Sequence, residues 1–235
     1  AVGYGNGTFI AFGTPSGGET RNLIRSEDDG LTWTAVPTTD SVGFYGFAYG
    51  RGSDSVDRWL AASSAGTIYY SEDIGLTWTN SGVTGLAGFT PTKVTYGNGK
   101  FVAVGTTGAN KAAYSTDGKN WTQVVGANAR ANWYGVTYGN GRFVAVGADY
   151  PTSDTVMWSV DGANWTLATG ISDIDALWKG VTYTGTRFIA VSAAGATRTM
   201  WSTTGNDEYE SQTLTLADNQ DLDKFEAGDL VQQDS

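Results

Sequence analysis

The feature that most limits what this chain can fold into is a phrase that returns. Val94–Gly105 reads VTYGNGKFVAVG and Val136–Gly147 reads VTYGNGRFVAVG, differing only at Lys100 and Arg142. The phrase also stands at Val2–Gly13 (VGYGNGTFIAFG) and at Val181–Ser192 (VTYTGTRFIAVS). One copy is split: Phe47 to Tyr49 leads into a longer turn through Asp54 and Asp57, and Trp59 to Ala62 completes it. A second phrase follows each copy of the first. It reads SEDDGLTW at Ser26–Trp33, SEDIGLTW at Ser71–Trp78, STDGKNW at Ser115–Trp121 and SVDGANW at Ser159–Trp165, with a degenerate fifth, STTGNDEY, at Ser202–Tyr209. The serines recur every 43 to 45 residues. Five units of that period, each able to hold four short strands, are the signature of a β-propeller.

Within a unit the text reads as a strand (VTY), a Gly-Asn-Gly turn, a second strand (KFVAV), a variable loop, a third strand (AAYS), the Ser-Asp turn, and a fourth strand (WTQVV). Asn-Gly between β-rich runs marks a tight hairpin, because both residues tolerate positive φ. The second strand is continuously apolar, as in Phe101 to Val104. A strand reads that way when both faces are covered, here by neighbouring blades. The expectation is an all-β chain: a five-bladed β-propeller over residues 1–216, in repeats of about 1–42, 43–88, 89–131, 132–176 and 177–216. Residues 217–235 break the repeat and read as an acidic tail or the start of a following domain; Asp218, Asp221 and Asp223 there match no EF-hand spacing. Ala1 falls inside what reads as a strand, which implies a piece of something longer.

Composition agrees and removes several functions. With 33 Gly, 9 Trp and 12 Tyr in 235 residues, the chain favours short strands and tight turns over helices. A net charge of −10 argues against nucleic acid or an anionic membrane surface as partner. No apolar run is long enough to cross a bilayer as a helix, so no membrane insertion is expected. The chain lacks His and Cys, which leaves no Ser-His-Asp set, no thiol nucleophile and no disulfide. Gly-Asn-Gly precedes a strand, so it is not a phosphate-binding loop. No cofactor is expected.

The second phrase resembles the Asp box, S-x-D-x-G-x-T-W, of the bacterial neuraminidase repeat family, whose members include sialidase-like propellers. Ser26, Asp28, Gly30 and Trp33 match every fixed position, as do Ser71, Asp73, Gly75 and Trp78. Ser115, Asp117, Gly118 and Trp121 match a form shorter by one residue, as do Ser159, Asp161, Gly162 and Trp165. The resemblance implies a turn between third and fourth strands in which Asp accepts backbone N–H bonds, Gly supplies positive φ and Trp packs beneath. These acids then read as architecture, not as catalysts or metal ligands. The chain is also similar to repeats in bacteriophage structural and tail proteins, where such units sit beside small β-modules. It departs from catalytic sialidases: it has no Arg-Ile-Pro motif, and its glutamates before position 200 are Glu19, Glu27 and Glu72, the last two inside the turns.

Strand parity places the two kinds of turn at one end of the blade and the variable loops at the other, where binding usually lives on a regular scaffold. Aromatic residues lead into the first strands at that end: Phe44, Tyr45, Phe89, Trp133, Tyr134 and Trp178. Of these, Tyr45, Trp133, Tyr134 and Trp178 are candidates for stacking on a ligand. Polar candidates at the same end include Glu19, Arg21, Arg130 and Asp149, with Asn110, Lys111, Asn132, Asp154, Asp173, Asp175 and Lys179 as further loop residues. The N-x-T triplets at Asn6, Asn120 and Asn164 fall in turns that the repeat already explains.

The expected function is a non-enzymatic binding or structural module of a larger extracellular or virion-associated protein, such as a phage tail or fibre, recognising a glycan or protein through its loop-rich face. Two alternatives stand beside it. One is a glycoside hydrolase or lyase of sialidase-like fold, which needs two carboxyl groups facing each other at the channel mouth. The other is a bare repeat scaffold, natural or constructed, without ligand.

Overall fold

The computed structural model describes residues 1–13, 23–37, 42–82, 86, 88–125, 131–148, 155–168, 177–194 and 199–205, with the backbone of 210–212. The strands form five antiparallel sheets of four, each in simple chain order. Blade 1 holds β1 (Val2–Gly5), β2 (Thr8–Phe12), β3 (Leu23–Ser26) and β4 (Thr34–Val36). Blade 2 holds β5 (Phe44–Arg51), β6 (Asp57–Ser63), β7 (Ile68–Ser71) and β8 (Thr79–Asn80). Blade 3 holds β9 (Pro91–Gly97), β10 (Lys100–Gly105), β11 (Ala112–Ser115) and β12 (Thr122–Gln123). Blade 4 holds β13 (Asn132–Gly139), β14 (Arg142–Ala148), β15 (Val156–Ser159) and β16 (Thr166–Leu167). Blade 5 holds β17 (Trp178–Tyr183), β18 (Phe188–Ser192), β19 (Thr199–Ser202) and β20 (Glu210–Gln212). The acidic segment 217–235 lies outside the described residues.

Each period-44 unit is therefore one blade, and the expected hairpins are present. The turn between β9 and β10 has Asn98 at φ 48° and Gly99 at φ 70°, and Asn140 and Gly141 repeat the pair at 45° and 76°. Two consecutive positive φ values are what a two-residue turn needs to match the twist of the strands. The fourth strands are shorter than the sequence implied. In blade 3 the expected WTQVV is a strand only at Thr122 and Gln123, with one further bond from the Val124 amide to the Ala112 carbonyl (2.9 Å). Trp121 belongs to the turn, and a short outermost strand leaves little unpaired edge to template another chain.

The blades stack through their first strands, β1 on β5, β5 on β9, β9 on β13 and β13 on β17. Four apolar clusters fill the four junctions. Ile10, Leu23, Phe47 and Trp59 meet between blades 1 and 2; Leu60, Val94, Phe101 and Trp121 between blades 2 and 3. Val102, Trp133, Phe143 and Met157 meet between blades 3 and 4; Val144, Trp178, Phe188 and Met200 between blades 4 and 5. Phe101, Val102, Ala103 and Val104 are all fully buried, which is why this strand carries no polar alternation.

The Ser-Asp-Gly turns are closed hydrogen-bonded units. In blade 2 the Ser71 hydroxyl donates to Asp73 Oδ1 (2.7 Å) and accepts from the Gly75 amide (2.8 Å). The Thr77 amide and hydroxyl donate to the two oxygens of the same carboxylate at 2.9 and 2.6 Å. Blade 1 repeats this with Ser26, Asp28, Gly30 and Thr32. In the shorter turns an asparagine takes over from threonine: the Asn120 amide and side chain donate to Asp117 (2.8 and 2.7 Å), and Asn164 does the same to Asp161. The side chains of Asn120 and Asn164, read in the sequence only as N-x-T triplets, are thus committed to the turn.

These bonds set the acidities. Hydrogen bonds from the Thr32 hydroxyl and amide, then from Ser26, bring Asp28 down to about 2. Burial works to raise Asp117, but the bonds from Asn120, Lys119 and Ser115 outweigh it and hold the carboxyl at about 2, against an ordinary 3.8. A folded-state pKa below the unfolded one contributes stability that is fully present above 3.8 and is lost as pH falls through about 2. Chemical denaturation at stepped pH is expected to show stability falling over that window. The fall should be shallower in Asp117→Asn, which has no carboxylate to protonate; an equal slope in both proteins would contradict the assignment.

Candidate functional site

The two turn types share one end, as strand parity requires. Lys100 Nζ of the β9–β10 hairpin side donates to the Asp161 carbonyl in the next blade's Ser-Asp turn (2.8 Å), and Arg58 does the same to the Asp117 carbonyl (2.9 Å). Glu27 and Glu72 lie at this end too, paired with Arg25 (2.7 Å) and with Arg58 and Lys119 (both 2.6 Å). A depression of about 320 Å³ includes Arg25, Glu27 and Asp28. Asp28 faces it with both carboxylate oxygens already engaged by Ser26 and Thr32.

The opposite end is built by a repeated irregularity. In blade 2 the pairing of β5 with β6 jumps between Phe44 and Gly46, leaving Tyr45 as the extra residue. The same jump in β13 leaves out Tyr134, in β17 it leaves out Lys179, and the shift at Gly105↔Pro91 leaves out Thr92. A bulge lifts one side chain out of the alternating pattern and re-aims it. Four blades thus present one bulged residue each, and Tyr45, Thr92, Tyr134 and Lys179 line a single cavity of about 650 Å³. Thr90, Thr106, Thr107 and Asn132 complete its polar wall. The Lys179 ammonium sits 3.4 Å from the centroid of the Tyr134 ring, so the cation and the aromatic face act as one unit. Lys111 Nζ donates to Asn132 Oδ1 at 3.2 Å, and Thr92 Oγ1 donates to the Trp133 carbonyl at 2.6 Å, fixing that rim. Lys93 follows the bulge in blade 3, its chain lying across Gly46, and burial lowers its pKa.

Of the residues singled out in the sequence, Tyr45, Asn132, Tyr134 and Lys179 reach this cavity; Tyr45 is 50% exposed. Trp133 and Trp178 do not bind there: both are buried in the clusters between blades, and so are Phe44 and Phe89. The correction has a simple cause. The residue before the bulge turns into the blade junction, where large rings fill space, and only the bulged residue turns out. Glu19, Arg21, Arg130 and Asp149 lie outside the described residues, as do Asp154, Asp173 and Asp175. Thr92 was missed, although aligning the repeats places it on Tyr45, Tyr134 and Lys179. Among the described residues no carboxylate lines this cavity, and no group of three or more acidic, His or Cys side chains could hold a metal.

No family model matches the chain, and no curated protein sequence matches it. Solved structures do share its backbone. Virginiamycin B lyase from Staphylococcus aureus with quinupristin superposes with a TM-score of 0.66 at 14% identity, over 92% of this chain and 69% of that one. A chain of the nidogen/laminin complex gives 0.60 at 14% identity, over 87% and 76%. The fold is a β-propeller. YCF48 from Cyanidioschyzon merolae is similar as well, with a TM-score of 0.56 at 16% identity over 77% of this propeller and 59% of that chain. This propeller therefore spans under two thirds of the YCF48 chain that it matches.

Proposed function

We propose that this propeller is a non-enzymatic binding module, built of Asp-box repeats of the bacterial neuraminidase type, that serves a larger extracellular or virion-associated protein. It takes a glycan or protein ligand in the cavity at the loop-rich end. The observation that carries the reading is the bulge repeated in four blades, which turns Tyr45, Thr92, Tyr134 and Lys179 into one opening. Tyr45 offers an exposed ring face and Tyr134 a half-buried one to a sugar or a peptide side chain, the threonine hydroxyls and Asn132 offer hydrogen bonds, and Lys179 offers a cation to an acidic group. The acids of the Asp boxes are spent on their own turns, which supports architecture over catalysis for them. Related propellers give precedent for both protein and small-molecule ligands, as the names of the nidogen/laminin complex and the lyase with quinupristin state.

The test is a glycan array and a displayed-peptide library screened with the wild-type chain and with Tyr45→Ala/Tyr134→Ala. A specific hit that the double variant weakens by about tenfold or more, as expected for aromatic anchors, supports the reading. Hits that the double variant retains at full strength, or no hit in either screen, contradict it. Turnover of a bound glycan would favour the hydrolase or lyase reading instead.

A further inference from the structure

We infer that the upstream face of blade 1 is an open half of a blade junction, and that its occupant is a further blade of this same repeat, one carrying glycine after its first-strand tyrosine. The four junctions in the chain are built alike. In each, a tyrosine of the later blade (Tyr49, Tyr96, Tyr138, Tyr183) lies where a Cβ on a glycine of the earlier blade (Gly5, Gly50, Gly97, Gly139) would stand, closer than 3.0 Å. In each, the turn glycine of the later blade (Gly75, Gly118, Gly162, Gly205) packs on an aliphatic side chain of the earlier one (Ile10, Leu60, Val102, Val144).

Blade 1 presents the later-blade half of this junction, and among the described residues nothing packs on it. Tyr4 is already set on Phe9, ring centroids 4.5 Å apart, as Tyr96 is on Phe101 (4.7 Å) and Tyr138 on Phe143 (4.8 Å). Yet Tyr4 is 58% exposed, Trp33 is 40% exposed, and a Cβ on Gly30 would meet only Trp33 of its own blade. Contiguous exposed apolar residues in an otherwise paired interface mark a docking surface.

Blade 5 cannot fill it. Where blades 1 to 4 read Gly-Asn or Gly-Arg after the tyrosine, blade 5 reads Thr184-Gly185. The threonine puts a branched side chain where the tyrosine ring must lie, and the Asn98-type bond to the next blade's turn has no donor. Val191 of blade 5 is 51% exposed, whereas Val104 and Val146, its counterparts, are fully buried. Among the described residues, β17 does not pack on β1 as the other first strands pack on one another. The same threonine rejects head-to-tail docking of a second copy, so the partner that fits blade 1 is a repeat that keeps the glycine.

The test places a copy of residues 89–134 directly before Ala1, so that Ala1 takes the register of Gly135. Nitration of Tyr4 by tetranitromethane, read by peptide mass, is expected to fall about tenfold relative to the chain alone, with a similar slowing of amide exchange across β1. Gly97→Thr within the added copy is expected to restore both to the values of the chain alone. If that copy does not fold, Tyr4→Ala gives a second reading: it should lower the unfolding midpoint of the fusion by more than that of the chain alone, which loses the contact with Phe9. Equal Tyr4 reactivity with and without the added copy, or equal midpoint shifts in both backgrounds, overturns the proposal. So does a Tyr4 already protected in the chain alone: independent of concentration it means the ring closes on blade 5, and rising with concentration it means the occupant is a second copy.

Discussion

Gly97→Ala is expected to destabilise the chain by about 3 kcal/mol or more. Gly97 closes β9, and its backbone is not in the left-handed region, so conformational freedom is not why it is glycine. A Cβ there would stand on the Tyr138 ring, which is itself held against Phe143 with centroids 4.8 Å apart. Neither ring can yield without opening the junction between blades 3 and 4. The control lies two residues on. Gly99 has φ 70° and nothing within 4 Å of a Cβ, so Gly99→Ala costs only the backbone strain, about 1 kcal/mol. Urea unfolding of the two variants separates close packing from turn geometry. Tyr138→Ala in the Gly97→Ala background should recover part of the loss, because it removes the obstacle; additive losses would contradict the packing argument.

The second large effect is expected at Arg58. Its side chain is fully buried, and its guanidinium donates to Glu72 Oε1 (2.8 Å), to Asp54 Oδ1 (2.7 Å) and to the Asp117 carbonyl (2.9 Å) of the next blade. One residue thus fastens the long turn of blade 2, the Ser-Asp turn of the same blade, and blade 3. Arg58→Ala leaves a cavity and an unsatisfied carbonyl, while Asp54 and Glu72, about 40% exposed, regain water. The expected loss is about 2–3 kcal/mol, below the range for partners left wholly buried. Arg58→Met, which keeps the volume, should lose less. Denaturant midpoints of the three proteins decide it: equal losses for Ala and Met would assign the effect to the hydrogen bonds, and no loss in either would contradict the fastening role.

Much of this was legible because the repeat is strict where the blade is strict. The Gly-Asn-Gly turns, the uninterrupted Phe101–Val104 strand and the Ser-Asp-Gly phrase each have one physical explanation, and the structure has blades where the phrases predicted them. The binding end was less legible, since one side chain per blade is decided by a bulge. Alternation alone could not tell that Trp133 turns into the junction while Tyr134 turns out, nor that Thr92, an unremarkable threonine, shares a register with Tyr45 and Lys179. The loop acids and bases Glu19, Arg21, Arg130 and Asp149 fall where no repeat constrains the chain. The mismatch between blade 5 and blade 1 was written in the sequence as Tyr183-Thr184 in place of Tyr-Gly, but its meaning needed the tyrosine-on-glycine contact of the other blades.

The central claim is a division of labour: the acids at one end hold the hairpins together, and the bulged side chains at the other end line the cavity that takes a ligand. Urea unfolding of Asp161→Ala beside Tyr45→Ala tests it most directly. Asp161 accepts from Ser159, Ala163 and Asn164, so its loss is expected to lower stability by about 1–2 kcal/mol, in the range of a lost cap. Tyr45→Ala is expected to stay within about 0.5 kcal/mol of wild type. An unchanged Asp161→Ala together with a strongly destabilised Tyr45→Ala would reverse the assignment of the two ends.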